Sequence, residues 1–228
     1  MKNFFKDGIL ISKGDFEDEK QTGYWEFFFE NTEISSKGNF LNGKKNGYWE
    51  FFYENSNLSF KGKFKNDKKY GLWESFYDNG KIHSRGSYQD DIKDGMWEFY
   101  FENGKLNAKE SYKFGIKNGL WELFTHKGKN IHKKNYIDAK KHGLWEFFYE
   151  TGSVSSRENY KENQRHGLWE YFYESGGLKY KRHYTNNKKN GIGEYFNKRG
   201  KLIMQEKWIN GYLSQIWKKY DLIDLIIN

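Results

Sequence analysis

The sequence predicts an all-β chain: a single elongated antiparallel β-meander of 24-residue hairpin repeats, twisted or curled, without disulfides. Three observations carry this. A Gly-x-Trp-Glu motif returns with a step of 24 residues. Within each copy, a period of two sorts Trp and Glu onto opposite faces. Turn residues interrupt the pattern about every 8–12 residues, the spacing of short strands. A fixed step of this size marks a repeat array in which each unit contacts its neighbours.

One copy reads Gly47-Tyr48-Trp49-Glu50-Phe51-Phe52-Tyr53. The glycine recurs as Gly23, Gly71, Gly95, Gly119, Gly143, Gly167 and Gly191. Trp follows two residues later as Trp25, Trp49, Trp73, Trp97, Trp121, Trp145 and Trp169, with Gly193 in the last copy. Trp25 to Phe29 suits a strand because aromatic residues favour a pleated, half-buried surface. The return strand spans Ile34 to Phe40. Between them, Asn79-Gly80 and Asn103-Gly104 in other copies predict a two-residue type I′ turn, which needs positive φ at both positions. Thr32 and Ser56 replace that glycine, so those two turns are expected to differ.

A two-residue turn sets the register. Phe29 then faces Ile34, Glu26 faces Lys37, and Trp25 faces Gly38, which leaves room for an indole. The same register sets Glu50, Glu74, Glu98, Glu122, Glu146 and Glu170 against Lys61, Arg85, Lys109, Lys133, Arg157 and Lys181. Each such pair contributes ~0.2–1 kcal/mol, and a slipped register loses them all. A helical reading fails because segments this short make marginal helices.

The organisation follows. Residues 1–22 form an N-terminal half-repeat and edge strand, 23–211 an array of about eight units, and 212–228 a capping strand with an aliphatic tail. The whole calls for about seventeen or eighteen strands. The 9 Trp, 18 Tyr and 20 Phe exclude a disordered chain. The absence of Cys excludes disulfides and thiolate metal sites. The first residues lack the apolar core of a signal peptide, so a cytoplasmic location is expected. No apolar run reaches membrane-spanning length, so no transmembrane segment is expected.

With its Gly-x-Trp-Glu-x-Phe-Tyr-x-x-Gly pattern and 24-residue period, the chain resembles the MORN repeat in its bacterial variant class, which includes the YwqK-like antitoxin family. The resemblance covers about residues 7 to 211. It implies an extended meander that binds rather than catalyses. It further implies antitoxin or immunity partners in bacteria, and scaffolding, dimerisation or acidic-lipid contact in eukaryotic relatives.

Among the residues themselves, no enzyme signature stands out. The stacked glutamates each face a base, and His142 and His166 lie one repeat apart, roughly 9–10 Å, too far to share a metal ion. No cofactor is expected. Lys44-Lys45, Lys68-Lys69, Lys140-Lys141 and Lys188-Lys189 stack along one edge and could touch polyanions weakly. Asp90-Asp91 interrupts that row, so specific nucleic-acid recognition is not expected. The Trp face must curl on itself, form a homodimer or meet a partner. The opposite face carries one ring per repeat inside a charged frame. That pattern marks Phe124, Phe148 and Phe172 as candidate contacts for a protein partner, a toxin among the candidates. The tail residues Leu222, Ile223, Leu225 and Ile226 form a second candidate patch or a cover for the last edge strand.

Overall fold

The computed structural model describes residues 2–219, and all 23 of their regular elements are β-strands. The chain divides into two compact units, Met1–Ile116 and Lys117–Asn228. In the first, ten strands from Lys2–Lys6 to Leu106–Lys113 follow one another, each antiparallel to the next. In the second, the order from Gly119–Phe124 to Tyr212–Lys219 is built the same way. The strand count exceeds the expected one partly because a bulge splits off two-residue pieces such as Lys140–Lys141. An unforeseen strand, Lys2–Lys6, also pairs outside the half-repeat at the N-terminal edge. The aliphatic tail lies outside the described residues.

The predicted register holds over the body of each hairpin: Gly23 pairs with Phe40, Trp25 with Gly38, Glu26 with Lys37 and Phe27 with Ser36. It fails next to the turn. There the register shifts, and Phe28, not Phe29, faces Ile34. The reason is the turn itself. Tyr77 N donates to Lys81 O at 2.8 Å and Gly80 N to Tyr77 O at 2.9 Å, which closes a three-residue loop. Gly80 has positive φ (79°) and Asn79 does not. This is a type I turn followed by a left-handed residue, with its accompanying bulge. Thr32 and Ser56 do not make different turns; they occupy the same left-handed position at φ 69° and 65°.

The type I′ turns lie instead between repeats. Asn42-Gly43 (52°, 77°), Asn66-Asp67 (50°, 66°) and Asp138-Ala139 (47°, 62°) have positive φ at both residues. Asp67 N donates to Lys45 O at 3.0 Å, and Lys45 N donates to Asp67 Oδ1 at 2.7 Å. Asp91 makes the same two bonds to Lys69, at 3.1 and 2.8 Å. Each such turn is thereby bonded to the repeat before it.

The core sits on one face and is built within a single layer. Trp25, Trp49, Trp73 and Trp97 are 4% exposed or less. The indole does not lie over the glycine of its own hairpin. Trp49 lies flat on Gly38 of the preceding return strand, and Trp25, Trp73 and Trp97 lie on Gly14, Gly62 and Gly86; a Cβ at any of the four would fall inside the ring's envelope. The register explains why the ring also bonds backward. Gly38 pairs with Trp49 and Phe40 with Lys45, so Asn39 alone faces Asn46, Gly47 and Tyr48. Gly47, at φ 83°, supplies the kink. The Trp49 Nε1–H donates to the carbonyl of Asn39 at 2.9 Å. Phe40 and Phe64 pack edge-on to Trp49, with centroids 5.0 and 6.2 Å away.

Two substitutions test these assignments in opposite directions. Thr32→Gly relieves a β-branched residue in the left-handed region and should raise stability by about 1 kcal/mol. Gly38→Ala overpacks the ring seat and should lower it by about 1–3 kcal/mol. Urea unfolding midpoints read both, and an unchanged Gly38→Ala would contradict the seat.

Candidate interaction surfaces

Each unit presents a Trp face and a Glu face. On the Trp face of the first unit, the second lysine of each inter-repeat pair folds over the indole. Lys45 Nζ stands 4.7 Å from the Trp49 ring centre and 5.0 Å from that of Phe51. Lys69 and Lys93 cap Trp73 and Trp97 at 4.8 and 4.4 Å. Burial lowers the ammonium pKa of Lys45 and Lys93. The expected lysine edge is therefore divided: the first residue of each pair (Lys44, Lys68) is exposed, and the second covers the core.

One place in this face lacks a ring. Phe51 stacks on Phe60 with centroids 4.2 Å apart, but the next repeat has Ser75 and Ser84 at these positions, hydrogen-bonded at 2.7 Å. A cavity of about 270 Å³ remains among Phe60, Trp73, Tyr88 and Trp97.

After Gly86 the floor position of the Trp face changes. Gly14, Gly38, Gly62 and Gly86 are followed at the same step by Glu110, Lys134, Glu158, Arg182 and Glu206. Charge alternates along this row. Arg182 Nη2 meets Glu206 Oε1 at 2.6 Å, with side chains 14% and 9% exposed. Tyr195 Oη donates to the same oxygen at 2.9 Å. Burial, then the hydrogen bond to Glu206, pushes the Tyr195 phenol up to about 12. Burial opposes the Glu206 charge, but the Tyr195 and Arg182 donors hold its pKa below the usual carboxylate value. Tyr160 and Tyr171 donate to the two oxygens of Glu158 at 2.9 and 3.1 Å. Reading for the repeat alone missed this row; the loss of glycine at every 24th position after Gly86 is the signal that shows it.

The Glu face carries the expected charge frame with one revision. In the first unit the bases reach forward to the next repeat: Lys13 to Glu26 at 2.5 Å, Lys37 to Glu50 at 3.1 Å, Lys61 to Glu74 at 3.1 Å and Arg85 to Glu98 at 2.6 Å. In the second, Lys133 and Arg157 pair within their hairpins, with Glu122 at 3.3 Å and Glu146 at 3.1 Å, while Lys181 reaches forward to Glu194 at 2.6 Å. A base lies between two glutamates, one on each neighbouring strand, so both choices are open to it.

The sequence-chosen residues distribute as follows. Trp145 and Trp169 are buried on the Trp face, whereas Trp121 is only half-buried. Gly47, Gly71, Gly95, Gly119, Gly143 and Gly167 all take positive φ. Phe124, Phe148 and Phe172 are half-buried opposite Asn130, Val154 and Leu178. Leu222, Ile223, Leu225 and Ile226 lie outside the described residues. More exposed than those rings is a row the sequence reading passed over, the residue between Gly and Trp: Tyr24 (42%), Tyr48 (45%), Leu72 (58%) and Met96 (57%). Tyr48 and Leu72 flank a cavity of about 300 Å³ opened by Gly71 and walled by Lys61, Tyr70 and Glu74.

Residues 45–66, 69–90, 93–114, 141–162 and 165–186 match the MORN repeat variant. Five stretches of the chain match this repeat model. A comparison with curated proteins finds no match. Each MORN match begins at the basic residue over the indole and ends inside the next type I′ turn, or at its first residue. The repeats led by Gly23, by Gly119, with Thr125 and Asn130 at its turn, and by Gly191, which lacks the Trp, lie outside the matched stretches.

The two kinds of ion pair, on the Trp face and on the Glu face, should respond differently to loss of a carboxylate. Glu206→Gln leaves Arg182 nearly buried and uncompensated and should cost ~3 kcal/mol. Glu26→Gln, at a more open pair, should cost less than ~1 kcal/mol. Chemical denaturation of the two variants measures the difference.

Proposed function

We propose that this MORN-repeat protein works without catalysis, by binding another protein, and that in a bacterial host it serves as an antitoxin or immunity partner. The observation that carries the reading is the apolar row Tyr24, Tyr48, Leu72 and Met96 on an ordered strand face. Successive members recur every 24 residues, two strands or roughly 9–10 Å apart. Large apolar side chains in line on a rigid sheet favour a partner that buries them. Ion pairs flank the row and suit the polar rim of such an interface. The glutamates available for acid–base work are each within 4 Å of a base, from Glu26–Lys13 at 2.5 Å to Glu170–Arg157 at 3.9 Å, which favours a structural role for them.

Capture from source cells tests the reading. The intact chain should retain a protein that Leu72→Asp with Met96→Asp loses, both forms having the same melting temperature. Lys44→Glu with Lys68→Glu should leave capture intact. Captured nucleic acid or anionic lipid that depends on the lysines and washes off in salt would replace the protein reading with the polyanion one. For the antitoxin role, co-expression of the chain should restore growth to cells poisoned by the captured protein.

A further inference from the structure

We infer that Lys134 and Lys141, converging on the Trp145 indole, form a binding site for a carboxylate supplied by an acidic side chain of a partner protein. That the carboxylate belongs to a protein rests on the function proposed above; the anion site itself does not.

The repeats provide an internal standard. At Trp169, Glu158 occupies the floor position and the Arg165 guanidinium stands over the ring at 4.8 Å. Acid and base are both present there. One repeat earlier the same two positions are Lys134 and Lys141, 5.1 and 4.6 Å from the Trp145 ring centre. Two ammonium groups share one indole, and neither has a carboxylate within ion-pair distance among the described residues. Glu158, whose charge reaches Lys134, is held through both oxygens by Tyr160 and Tyr171. A third cation, Lys117, covers the neighbouring Trp121 at 4.2 Å. His132 lies beside them, edge-on to Phe147, with a buried Nδ1 that lacks a partner.

A ring quadrupole attracts each cation by ~0.5–2 kcal/mol but does not cancel their repulsion. Burial, then Lys141 and Lys117, lowers the ammonium pKa of Lys134. Burial and Lys134 likewise lower that of His132. A carboxylate between Lys134 and Lys141 would restore the balance that Glu158 and Arg165 have by themselves. Both lysines are half-buried, so the site is partly desolvated and still reachable. An anion between the two ammonium groups would meet two charge-assisted donors beside the Trp145 ring.

The test uses the full chain and the peptide acetyl-Glu-Glu-Glu-Glu-amide, with inorganic phosphate as the competing probe at matched ionic strength. The peptide should shift the Trp145 indole N–H resonance, and the Trp121 resonance less. The shift should vanish in Lys134→Glu and in Lys134→Met. Lys134→Met gives the binding result should the charge reversal fail to fold. A Trp145 resonance that ignores the peptide, or moves equally in Lys134→Met, overturns the site. A tighter response to phosphate than to peptide overturns the carboxylate assignment. None of these readings depends on Leu72 or Met96, so the site and the apolar row stand or fall separately.

Discussion

An indole lying on a glycine is the contact that the first unit depends on. A one-layer sheet has no second layer to bury its apolar face, yet Trp49 is completely buried. It reaches that state by spreading flat across Gly38, packing against Phe40 and Phe64, and accepting the ammonium of Lys45 above. Its N–H donates to the Asn39 carbonyl at the strand bulge. The ring, the glycine, the bulge and the lysine require one another. A Cβ at Gly38 removes the seat, and a flat strand at Gly47 removes the acceptor's position.

Much of this was legible in the sequence. The step of 24 residues located the strands of the repeats, and the acid–base pattern set the hairpin register through Glu26 and Lys37. The turn within each hairpin was assigned the wrong type for a physical reason. Asn-Gly satisfies both a type I′ turn and a type I turn with a left-handed third residue, so Asn79-Gly80 does not distinguish them. The distinguishing residues, Asp138-Ala139 and Asn66-Asp67, carry no glycine and still adopt positive φ at both positions. The Trp seat was likewise displaced by one repeat. Pairing puts Gly38 beside both Trp25 and Trp49, and only the direction in which the indole leans chooses between them.

Beyond Gly86 the same positions carry charge, and the chemistry of the Trp face changes with them. A glycine floor is neutral and fixed in shape. A floor of Lys134, Glu158, Arg182 and Glu206 must be balanced along its length, and hydroxyls of Tyr160, Tyr171 and Tyr195 do part of that balancing. These tyrosines stand where hydrocarbon rings would pack as well, so the need for a donor accounts for them. Periodicity could not show this, because the repeat average conceals a position whose residue type switches midway.

The turns that bond backward to the previous repeat have a consequence for the chain's history. Asp67 and Asp91 close identical junctions, and the Tyr53 and Tyr77 hydroxyls reach Phe76 O and Tyr100 O at 2.8 and 2.7 Å across the other end. A 24-residue segment cut out or copied in at such a junction meets the same donors and acceptors that it left. Gene duplication can therefore lengthen or shorten the array without inventing a new seam, and residues that differ between copies, such as Lys134, become the places where a lineage can acquire something particular.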